Sequence, residues 1–194
     1  EELMFPGIVT LVEETKDGKT TVKAKVADAD ANRVGVEMAA HGNTIVEIKK
    51  VDSRWTVVRD SKFNRRITAD TPMVLTGPVA GHDRAKTSVD TTGRAVLGTL
   101  NNCAGGITAW GTYLTAEENT HGYFTGKLPD GHAETANYKR MGVPGNSYQW
   151  GRFHDRFDVS KEPNEPNRFG YIVEIDPYDP TSTPKKRTAL GRFK

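Results

Sequence analysis

Apolar, often β-branched residues alternate with charged ones in short runs along this chain, and turn-forming clusters cut each run off before a helical stripe can develop, so the sequence commits to short strands. Residues 7–12 read as one strand, Lys16-Asp17-Gly18-Lys19 as a turn in which Gly18 takes positive φ, and residues 20–26 as the returning strand. A second hairpin is predicted over residues 44–48 and 55–58, joined through Val51-Asp52-Ser53. Residues 94–100 and 108–115 read as strands flanking a loop that holds the single cysteine, and residues 171–175 as a short strand closed by Asp176-Pro177. The helical windows at 28–38 and 133–141 are short and weakly amphipathic. Nineteen glycines and ten prolines agree with this pattern, because short strands need frequent turns. The fold class expected is mainly β with much loop.

A chain of 194 residues is long enough for one domain with a buried core. Its 27 basic and 25 acidic residues leave a formal charge of +2, and Lys185-Lys186-Arg187 is too short a basic cluster to mark a nucleic-acid surface, so no nucleic-acid partner is expected. No stretch approaches the roughly 18 apolar residues of a membrane span, and Glu1-Glu2-Leu3-Met4-Phe5-Pro6 lacks the basic and apolar regions of a leader. One cysteine excludes an intramolecular disulfide and leaves the redox compartment open. Between Asn119 and Arg168 strand signals are few, while the density of tyrosine, tryptophan and phenylalanine predicts an ordered surface segment.

Cys103 sits in Asn101-Asn102-Cys103-Ala104-Gly105-Gly106, where small residues let the backbone bend and bring a thiolate close to another group. The next strand returns the chain toward Glu117-Glu118-Asn119, a source of hard oxygen ligands. Because strand neighbours point to opposite faces, at most one of the two glutamates faces the thiol. The plainer alternatives are a small buried apolar cysteine and solvated glutamates. A paired-cysteine zinc site is excluded, and a cysteine nucleophile needs a histidine, which nothing local selects from His41, His82, His121, His132 and His154.

The run Thr99-Leu100-Asn101-Asn102-Cys103-Ala104-Gly105-Gly106, with Trp110-Gly111-Thr112 and Glu117-Glu118-Asn119, resembles the signature of PhoX-type alkaline phosphatases. Arg59-Asp60-Ser61, Asn64-Arg65-Arg66-Ile67-Thr68, Gly170-Tyr171, Glu174-Ile175-Asp176-Pro177, Asp179-Pro180 and the run from Lys186 to Phe193 are similar to that family in the same order, from about Arg33 onward. The resemblance implies a bacterial phosphomonoesterase, periplasmic or secreted, built on a β-propeller with iron (Fe3+) and calcium. A metal-bound oxide or hydroxide would serve as nucleophile, so that no protein nucleophile is required. Carried over by position, Cys103 is an iron ligand and Glu118 coordinates metal at the same centre, with Glu117 and Asn102 as further candidates. Arg65 and Arg66 can offer donor forks to phosphate oxygens or, alternatively, brace a loop.

Members of that family are longer, so the resemblance further implies that residues 1–194 are part of a single propeller domain. An incomplete set of blades with long ordered loops would then need the missing C-terminal part or a partner chain to complete the site. Ala116 stands where relatives often carry a second cysteine. The competing readings are a non-catalytic propeller-like module that binds glycans or proteins through the aromatic-rich loop from Tyr123 to Trp150, and a calcium-dependent lactone hydrolase, against which the Asn-Asn-Cys motif argues.

Overall fold

Positive φ at Asp17 (53°) and Gly18 (71°) turns Val9–Lys16 (β1) straight back on Lys19–Val26 (β2), giving the first expected hairpin in register from Val9 opposite Val26 to Lys16 opposite Lys19. The computed structural model describes residues 6–192. Phe193, the last residue of the family resemblance, and the leader reading of residues 1–5 lie outside them.

The helical windows are occupied by Ala31–Ala40 (α1) and Thr135–Met141 (α2). Asp30 caps α1 by accepting from Arg33 N, and Gly142 ends α2 at φ 71°. The second hairpin is shorter than predicted. Asp52 and Ser53, both at positive φ, join only Ile48–Val51 (β4) to Arg54–Val57 (β5), whereas Asn43–Ile45 (β3) pairs with Arg65–Ile67 (β6). Glu47 explains the break: its amide donates to the Asn64 side chain at 2.8 Å, which interrupts the ladder between β3 and β4.

The main sheet contains Pro72–Thr76 (β7), Ala95–Leu97 (β8), Asn102–Ile107 (β9), Tyr113–Glu117 (β10), Ile172–Ile175 (β11) and Lys185–Arg187 (β12), in the order β8-β7-β12-β11-β10-β9. All its pairings are antiparallel except β12 with β7. Cys103 therefore lies in the edge strand β9 rather than in a loop, and the predicted strand over 108–115 begins only at Tyr113. Thr108 N bonds Thr112 O at 2.8 Å and Gly111 takes φ 92°, so residues 108–112 form the turn between β9 and β10. Gly105 lacks a side chain for a steric reason, since a Cβ there would lie 2.1 Å from the Tyr113 hydroxyl.

The segment between Asn119 and Arg168 is ordered, but most of its aromatic side chains turn inward. Phe124, Trp150 and Phe157 are fully buried, and Tyr123 and Tyr138 nearly so. Trp150 meets Phe157 edge-on at 5.0 Å, and the cluster continues into Phe169, Val173 and Ile175 of the sheet. Each such side chain contributes roughly 1.5–3 kcal/mol by leaving water, so a segment poor in strands supplies much of the core. The aromatic surface proposed for glycan or protein binding is thereby corrected: these rings face one another.

The fold is mainly β. Within the sheet, the consecutive strands β9 to β12 pair antiparallel with one another in chain order.

Candidate metal centre at the sheet edge

Pairing between β9 and β10 runs from Tyr113 opposite Ile107 to Ala116 opposite Ala104, then jumps so that Glu117 faces Asn102. Cys103 is the extra residue of this β-bulge, a device that re-aims a side chain at a sheet edge. Asn101 prepares it with φ 48°; its carbonyl accepts from Glu118 N at 3.2 Å and its amide donates to Glu118 O at 3.0 Å. The outcome is direct contact between Cys103 Sγ and Glu118 Oε2 at 2.5 Å on an exposed face. The Glu118 carboxylate, by accepting the thiol proton, holds the Cys103 thiol above its ordinary range. Among the described residues Cys103 bonds to no histidine, so the cysteine-nucleophile alternative gains nothing.

Glu117 points the other way. It is fully buried; Oε1 accepts from Leu100 N (3.1 Å) and Lys186 Nζ (2.8 Å), and Oε2 from Gly170 N (2.8 Å) and Tyr171 N (3.0 Å). A carboxylate with both oxygens so occupied has no lone pair to give a cation, which corrects its candidacy as a ligand. Asn102 lies opposite Glu117 across the bulge and exchanges hydrogen bonds with Thr99 Oγ1 at 2.8 and 3.0 Å, so it too is turned from the Cys103–Glu118 pair. Lys186, which the sequence showed in a basic cluster and at the head of the family-like run to Phe193, is fully buried between Glu117, the Arg168 carbonyl and the Phe169 ring. Burial lowers its ammonium to about 8 although Glu117 pulls the other way.

The arginines brace the fold, mainly through backbone carbonyls. Arg65 donates to Asp176 O at 2.5 Å, while Arg66 donates to Ala39 O and His41 O at 2.9 Å each and to Thr44 Oγ1 at 2.6 Å. Their forks are committed far from Cys103 in sequence and in bonding.

Sequence reasoning also passed over a cleft of about 350 Å³ beside the bulge, lined by Glu37, His41, Asn101, Asn102, Tyr123 and Tyr148 among others. His41 bridges the Glu37 carbonyl (2.6 Å) and the Tyr123 hydroxyl (2.8 Å), and burial lowers its pKa. In the sequence His41 was one of five histidines, three residues past the helical window at 28–38.

As donors for a metal, Cys103 and Glu118 fit in kind: a thiolate and a carboxylate converge on one exposed spot, and the nearest neighbours on that face, Ala104 and Ala116, carry nothing beyond Cβ. They do not complete a coordination sphere, since among the described residues no group of three His, Cys, Asp or Glu side chains converges.

Together these features define a mainly-β protein that presents a thiol–carboxylate pair from a bulged sheet edge. The alkaline phosphatase PhoX family matches residues 7–194, and the chain belongs to that family. The solved structure of Pseudomonas fluorescens PhoX in complex with vanadate, a transition state analogue, is 46% identical and superposes with a TM-score of 0.79, covering 86% of this chain. This chain spans 29% of the length of that one. Among curated proteins none matches. No helix among the described residues is long and apolar enough to cross a membrane.

Proposed function

We propose that this chain supplies part of the active centre of a metal-dependent phosphomonoesterase that releases phosphate from organic phosphate esters. The observation that carries the reading is the convergence of Cys103 Sγ and Glu118 Oε2 across the bulge in a member of the PhoX family. Cys103 as thiolate and Glu118 as carboxylate hold iron (Fe3+), and calcium completes the centre through oxygen ligands. Cations bound there supply positive charge that neutralises an anionic ester and positions it for displacement. Ala104 and Gly106, with no side chain beyond Cβ, leave room for the ester to approach the strand, and nothing lies within 4 Å of where a Gly106 side chain would start. The vanadate bound by the Pseudomonas fluorescens relative, an analogue of a phosphoryl-transfer transition state, supports phosphate as the group transferred.

The remaining ligands come from further residues of the same protein or from a partner chain, a reading supported by the small share of the relative that is covered and by the incomplete donor set. A propeller is supported by the four consecutive antiparallel strands β9 to β12, the number that makes up one blade, and residues 1–194 form part of that single domain. Export to the periplasm or beyond the cell follows from the family reading.

The test is iron and calcium content together with phosphomonoester hydrolysis in the full-length protein. Cys103→Ser and Glu118→Gln are each expected to lower iron content and rate together, by about tenfold or more. Retention of both by either variant refutes its place in the centre.

A further inference from the structure

The bulge that brings Cys103 to Glu118 is held from behind by one buried carboxylate that touches neither side chain. Glu117 receives donors from three places: the connector before β9 (Leu100 N), the two residues just before β11 (Gly170 N and Tyr171 N) and the middle of β12 (Lys186 Nζ). Its own amide donates to Tyr171 O at 3.1 Å. Leu100 lies three residues before Cys103 and Glu117 one before Glu118, so this carboxylate ties together the two backbones whose separation sets the thiol–carboxylate distance.

We propose that Glu117 is a positioning residue for the metal centre, a buried clamp with Lys186 as its counterion that fixes the β9–β10 corner in the geometry that lets Cys103 and Glu118 share one cation. The proposal rests on the reading of those two side chains as ligands. The chemistry selects a carboxylate over an amide. A glutamine in the same place offers one oxygen for two donors, and its NH2 group then opposes the other two. The positive charge of Lys186 balances the clamp in a site closed to solvent, and its further bond to Arg168 O at 3.0 Å draws β12 toward the same corner. Groups of this kind, one bond removed from the ligands, typically change metal affinity by about 10–100-fold when altered.

The experiment uses the full-length metal-loaded protein and reads iron retained per mole against increasing chelator. Glu117→Gln and the charge-balanced double variant Glu117→Gln/Lys186→Met are compared with Val34→Ala, a core truncation in α1 that leaves every Glu117 partner in place. The double variant is expected to release iron at about tenfold lower chelator concentration than wild type. Val34→Ala is expected to lower the melting temperature without moving iron release. Wild-type iron retention by the double variant overturns the clamp, as does iron release from Val34→Ala in proportion to its lost stability. Cys103→Ser, run in parallel, separates the two readings: if it keeps its iron the ligand assignment fails, whereas iron lost from Cys103→Ser but held by the Glu117 variants removes the clamp alone. Should the Glu117 variants not fold, hydrogen exchange on wild-type protein decides. Leu100, Gly170 and Tyr171 amides that stay protected after iron removal support a preformed clamp, and rapid exchange refutes it.

Discussion

Gly98 opens the connector that delivers Cys103 to the bulge, and replacing it with alanine is expected to be among the most damaging single-methyl changes in the chain. It is buried at φ 79°, in hydrogen bond to Thr71 O at 2.7 Å. An added Cβ would lie 1.7 Å from Ala69 O and 2.0 Å from Ala69 C, backbone atoms that no rotamer change can clear. The left-handed conformation alone costs alanine about 1 kcal/mol. Relief of the overlap must part the two chains, which breaks the Gly98–Thr71 bond and weakens the bond from the Arg156 guanidinium to Ala69 O at 2.6 Å. With about 1 kcal/mol for the neutral bond and about 2 for the charged one, the total is about 4 kcal/mol. Gly106→Ala is the control: no atom lies within 4 Å of its Cβ, so that variant is expected to change stability by less than about 1 kcal/mol, with a stabilising sign. Urea unfolding of the full-length variants, followed by tryptophan fluorescence with Trp150 as a buried reporter, gives both values. A loss below about 1 kcal/mol in Gly98→Ala, or equal losses in the two variants, would refute the steric reasoning.

Acid should act through Glu174. Burial would raise its carboxyl, but hydrogen bonds from Thr112, Trp110 and Arg187 outweigh this and bring it from an ordinary 4.5 to about 2. A carboxyl lowered in the folded state adds stability above pH 4.5 that is lost as pH falls toward 2; with Arg187 partly in solvent, about 2 kcal/mol is expected. Unfolding of wild type and Glu174→Gln between pH 6 and pH 2.5 tests this, and parallel pH profiles would contradict it. Arg66→Ala, which removes three bonds to the β3 and α1 region, is expected to cost about 1 kcal/mol while leaving KM for a phosphate ester within about twofold. A large rise in KM at unchanged stability would return Arg66 to the substrate site.

Local chemistry made much of this protein legible in its sequence. Asp17-Gly18 and Asp52-Ser53 announce their hairpins because positive φ is a property of the turn residues themselves, and the windows at 28–38 and 133–141 located α1 and α2, whose ends are set by Asp30 and Gly142. The neighbourhood of Cys103, with its small residues and returning carboxylates, pointed to the pair that converges, and strand alternation alone required that one of the two glutamates turn away. Which glutamate faced the thiol was decided by tertiary structure, because it depends on a bulge in pairing with a separate strand and on donors from Gly170, Tyr171 and Lys186, more than 50 residues away. For the same reason Arg65 and Arg66 stayed open between phosphate forks and loop braces until the carbonyls they serve were in view, and the aromatic run looked like surface until it closed on itself. A side chain's residue type fixes what bonds it can make, whereas the partners that use them up are brought by distant parts of the chain, and only the folded structure contains those distances.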